Sequence, residues 1–124
     1  MKAAIVVLSD PKGGTEEAFG RVFNALAAAY DFKKRGTPVR VLFQGAGTRW
    51  VGELTNADHP VHGLFEQVRD VVEGVSSACA TAFGATEAAT SHGFELLSGN
   101  EVPGTSGLPS LGGLVADGYT VLTF

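Results

Sequence analysis

The chain has 124 residues and a net charge of −4, with 44% hydrophobic and 18% charged residues. That length fits a single domain, residues 1–124, with a real core, and the composition weighs against a disordered chain. No basic patch marks it for nucleic acid or an anionic membrane surface, and a single cysteine leaves no internal disulfide and no multi-cysteine metal centre.

The apolar run Ala3 to Leu8 is too short for the core of a signal peptide and stops at Ser9-Asp10-Pro11. It reads as a strand covered on both faces. No stretch reaches the length of a membrane span. A free thiol suits a reducing compartment, so the expected location is the cytoplasm.

A helix follows "DPKGG". Thr15 stands at its N-cap, Glu16 and Glu17 in its first turn, and Phe19, Val22, Phe23, Leu26 and Tyr30 recur at helical spacing. Lys33, Lys34 and Arg35 suit its C-terminal end, and Gly36 suits the position just beyond. Val39 to Phe43 reads as a second strand. "QGAGT" then turns the chain, and "RWVGEL" reads as a short helical piece.

Another helix is expected from Asp58-His59-Pro60. Val61, Leu64, Phe65, Val68, Val71 and Val72 line one face, and Gly74 ends it. Val75 to Ala78 is expected as a third strand leading into a helix that begins close to Cys79, and Phe94 to Leu97 as a fourth. The Gly/Pro/Ser-rich stretch 98–110 reads as a mobile loop over the carboxyl edge of the sheet. A short helix over 110–117 and a last strand over 119–124 complete the chain.

Strands alternating with helices predict an α/β fold of three layers, α/β/α, around a mostly parallel sheet of about five strands with flavodoxin-like topology. In such folds the working site lies at the carboxyl ends of the strands. That edge should gather "SDPKGGT", "QGAGT", Cys79 and the Gly/Pro loop.

Cys79 is placed where a strand passes into a helix, among small residues. Free amide groups at a helix start favour a thiolate, and small neighbours leave the sulfur open. The bland reading is an inert packed thiol, since free cysteine is among the most buried residue types. A papain-like arrangement needs an orienting histidine, and no spacing ties His59, His62 or His92 to Cys79. "SDPKGGTEE" resembles a phosphate-cradling turn but lacks the Walker A order, and a capped strand-to-helix turn explains it better. Gly45-Ala46-Gly47 lacks the third glycine of the dinucleotide fingerprint and reads as a turn of close backbone approach. The pocket candidates are therefore Lys12, Gly13, Gly14, Gly45, Gly47 and Thr48. No resident metal or cofactor is expected.

"VRVLFQGAGTRWVGEL", "HPVHGLFEQVRDVV" with "GVSSACATAFGA", and "PSLGGLVADGYTVLTF" together resemble the DsrE-like (DsrE/DsrF) family. The most specific part is the Cys-Ala-x-Ala-Phe-Gly segment at Cys79. The resemblance implies the small three-layer α/β fold and homo- or hetero-oligomers, here a homo-oligomer (dimer or trimer). It implies a sulfur-relay role in which Cys79 carries a persulfide between donor and acceptor proteins, as in a sulfurtransferase. Related sequences often have a second cysteine three residues earlier, where this chain has Ser76. The competing expectation is a non-catalytic small-molecule or partner-binding module with a structural Cys79.

Overall fold

The computed structural model describes residues 1–124. Its first strand, β1 (Lys2–Val7), is buried from Ala3 to Val7 and lies near the middle of the sheet. A 3-10 turn (Pro11–Gly13) follows, then α1 (Glu16–Lys34), β2 (Val39–Phe43), a 3-10 turn (Gly45–Arg49), α2 (Trp50–Leu54) and α3 (His62–Val68). Next come β3 (Val72–Ser76), α4 (Ser77–Ala82), α5 (Thr86–Ser91), β4 (Leu96–Leu97), α6 (Leu111–Ala116) and β5 (Tyr119–Thr123).

The caps of α1 are as the sequence implies. Thr15 Oγ1 accepts from the Ala18 amide at 3.0 Å, and Gly36 takes a left-handed conformation beyond the last turn. Val22, Ala25, Leu26 and Ala29 form the stripe that this helix buries.

All five strands are parallel, in the order β4-β3-β2-β1-β5. The layered α/β/α expectation holds, but its flavodoxin-like topology is corrected, because flavodoxin has the order 2-1-3-4-5. Right-handed crossovers that advance in one direction keep their helices on one face. Here three successive crossovers advance from β1 to β4, and the chain returns only once, to β5. Side-chain alternation records the result. Ala3, Ile5, Val7, Val41, Phe43 and Val75 pack with α1 to α5, whereas Ala4, Leu42 and Tyr119 pack with Leu114 of α6. One face is thus covered by five helices and the other by one short helix.

Three local expectations are corrected. Val71 and Val72 do not extend α3, and β3 begins at Val72 and ends at Ser76. Gly74 is a strand residue: a Cβ there would lie 2.4 Å from the Glu95 carbonyl oxygen, so only glycine lets the neighbouring chain pass. The helix expected close to Cys79 begins at Ser77 and breaks at Phe83-Gly84, where Gly84 turns left-handed before α5. The loop over 98–110 is pinned by backbone bonds and by the buried Pro109. Asn100 and Leu108 exchange hydrogen bonds of 2.7 and 3.0 Å, and the Ala78 amide donates to Gly107 O at 2.8 Å.

Candidate functional site at the carboxyl edge

Cys79 is the third residue of α4, at the carboxyl end of β3. Ser76 caps the helix, and its Oγ accepts from the Cys79 amide at 3.4 Å. The loop closes over the same turn through Ala78 N to Gly107 O, and Ser77 Oγ lies 2.8 Å from Ser106 Oγ. The amides of Ala78 and Cys79 are therefore already engaged.

Successive residues of α4 divide its surface. Ala80 is fully buried in the main core. Ala78, Thr81 and Ala82 line a cleft of about 430 Å³ with Gly104, Thr105 and Ser106. Cys79 and Phe83, one turn apart, share the remaining flank. That flank adjoins the turn after β2, because Arg49 donates from Nε to Phe83 O at 3.1 Å and lies over the Phe83 ring at 5.2 Å. Cys79 is half-buried and lines none of the surface clefts.

The pocket candidates divide into two groups. Gly45, Gly47 and Thr48 are on the turn packed beside α4, but they serve the backbone. Thr48 is fully buried, with Oγ1 donating to Gly45 O at 2.9 Å. Gly47 passes so close to β1 that a Cβ would sit 2.2 Å from Val7 O. Lys12, Gly13 and Gly14 belong to the exposed turn after β1. Asp10 caps that turn, accepting from the Lys12 amide at 2.9 Å, and no other part of the chain covers Gly13 or Gly14.

Sequence reasoning missed the tie that joins these loops. Arg49 Nη1 donates to Asp10 Oδ2 at 3.0 Å, so one guanidinium links the turns after β1 and β2 to the end of α4. The Lys12 amide holds the Asp10 carboxyl below the usual carboxylate range, helped by Arg49 and opposed by partial desolvation. Trp50 reinforces the tie, donating from Nε1 to Ser9 O at 2.8 Å. Residues Asp10 and Arg49 lie 39 positions apart, and only an acid and a base flanking two adjacent edge turns hint at the pair.

No histidine is hydrogen-bonded to Cys79. His59 Nδ1 accepts from Val61 N, His62 Nδ1 lies 2.7 Å from Leu54 O, and His92 Nδ1 lies 2.8 Å from Ala88 O. No group of three His, Cys, Asp or Glu side chains is placed to hold a metal ion. No helix is long and apolar enough to cross a membrane.

Comparison with known proteins adds three findings. The chain is 30% identical over 66 residues to an uncharacterized protein of Methanocaldococcus jannaschii, an overlap of 53% of this chain and 54% of that protein, so it spans about half the length of that relative. No solved structure matches it. The DsrE/DsrF-like family model matches residues 1–124, the whole chain, and this chain belongs to the DsrE/DsrF-like family.

Proposed function

We propose that the protein is a sulfur carrier of the sulfurtransferase type, with Cys79 accepting and passing on sulfane sulfur. The observation that carries this reading is the position of the chain's one thiol, half-buried in the first turn of α4 at the carboxyl edge. The Cys79 thiolate attacks the outer sulfur of a donor persulfide. A bond forms from Cys79 Sγ to that sulfur, the donor's S–S bond breaks, and the donor leaves as a thiolate. An acceptor thiolate then repeats the step on the Cys79 persulfide. Sulfur moves without a net change in oxidation state.

A second cysteine beside Cys79 would attack the persulfide and discharge it as sulfide. Ser76 fills that place as a cap that cannot react in this way. Donor and acceptor proteins in a reducing, cytoplasmic setting complete the proposal. The lightly covered α6 face, where Val115 is 60% exposed, supports a homo-oligomer, a dimer or trimer.

One observation favours the binding-module reading instead: Cys79 lines none of the clefts. Alkylation of the native protein separates the two. Rapid reaction of Cys79 at neutral pH supports the carrier, and a thiol that reacts only after unfolding supports the structural role.

A further inference from the structure

A separate cleft lies beside the carboxyl edge, and Cys79 does not line it. Phe19, Trp50, His59 and Glu53 line a cleft of about 210 Å³ with Pro11, Thr15 and others. The Phe19 and His59 rings stack with centroids 6.1 Å apart and planes at 28°. Trp50 meets His59 edge-on, at 6.2 Å and 85°. The three rings thus form a corner. Trp50 is buried and fixed by Ser9, while Phe19 remains 38% exposed although its neighbour His59 covers part of it. The Val61 amide occupies His59 Nδ1, so the neutral ring carries its proton on Nε2.

An exposed phenylalanine beside a buried tryptophan, with a carboxylate at the rim, is an arrangement that an apolar ligand alone does not require. Ring faces attract cations through their quadrupoles, and a carboxylate adds charge. Glu53 supplies that charge within the cleft, and Glu16 and Asp58 are carried by the segments around it, whereas Glu17 is already paired with Arg21 at 2.6 Å and Lys12 is a further nearby cation. The start of α1 also borders the cleft, but Thr15 already caps the Ala18 amide there.

We propose that this cleft binds a compact methylated ammonium cation, held by the aromatic corner of Phe19, Trp50 and His59 and neutralised by Glu53. Trp50 is the only tryptophan in the chain, so its fluorescence reports the cleft directly. Tetramethylammonium chloride is titrated against the folded protein, with tert-butanol as a neutral analogue of similar shape and sodium chloride as the ionic control. A saturable change with tetramethylammonium alone is expected. Phe19→Leu keeps an apolar side chain but removes the ring, and Glu53→Gln keeps the shape but removes the charge. Each should weaken binding about two- to fivefold, the factor expected for one exposed cation–π or ionic contact. An equal response to tert-butanol, no saturation with tetramethylammonium, or unchanged affinity in both variants overturns the proposal. Far-ultraviolet circular dichroism of both variants confirms that the comparison is between folded proteins.

Discussion

Gly47 offers a test of how the carboxyl edge is built. In Gly47→Ala, the new Cβ would meet Val7 O at 2.2 Å and Val7 C at 2.8 Å, against ordinary contact from 3.4 Å. Both atoms are backbone of a central strand, so no side chain can swing away. The turn and β1 would have to part by about 1 Å. That movement strains the hydrogen bond that the Gln44 N–H donates to Val7 O, 3.0 Å in the native protein, and the Arg49 link to Asp10. Overpacking of this kind costs about 1–3 kcal/mol, and a weakened backbone hydrogen bond adds about 1 kcal/mol. The expected loss is about 3 kcal/mol, or roughly 10 °C in Tm for a chain of this size.

Gly13→Ala is the control. Nothing lies within 4 Å of its Cβ, and its φ is not positive. It should be neutral or stabilising by up to about 1 kcal/mol, through the unfolded chain alone. Urea unfolding of both variants, with unchanged m-values, gives the comparison. A Gly47→Ala cost below about 1 kcal/mol, a tenth of typical domain stability, would refute the close approach of the turn to β1.

Other predictions follow from the same edge. Ser76→Ala removes the cap of α4 and should cost about 0.5–1 kcal/mol, the low end for caps because the bond is 3.4 Å long, as read by urea unfolding; an unchanged midpoint would contradict the capping role. Arg49→Met should destabilise at neutral pH. The Asp10 carboxyl titrates lower when folded than when unfolded, so its contribution is present above the unfolded carboxylate value and is lost as pH falls through the folded one. The gap between wild type and Arg49→Met should therefore narrow below about pH 4, and a gap constant through that range contradicts the ion pair. Light scattering at micromolar concentration should give a dimer or trimer, and a monomer would remove the oligomer.

Much of the fold was legible because its signals are local. The aliphatic run of β1, the cap and acidic first turn of α1, and the alternation of strands and helices each lie within a few residues. The start of β3 was not, because Val71 and Val72 continue the spacing of α3 and Gly74 reads as a stop. Its true role depends on the Glu95 carbonyl, 21 positions later. Strand order was likewise hidden, since nothing local says which side of β1 receives the last strand. At the site, Cys79 stood out by being alone among small residues, and the glycines beside it were correctly placed at the edge. Arg49 did not stand out, because its partners Asp10 and Phe83 are each more than 30 positions away. The aromatic cleft was hidden for the same reason: Phe19, Trp50 and His59 come from three separate segments.

The central claim is that Cys79 carries sulfur, and intact mass after exposure to a small-molecule persulfide tests it most directly. Wild type should gain the mass of one sulfur atom, lose it on addition of an acceptor thiol, and show the added sulfur on the peptide containing Cys79. Cys79→Ser, folded by circular dichroism, should gain none. A folded wild type that takes up no sulfur, or a Cys79→Ser protein that still does, would contradict the account.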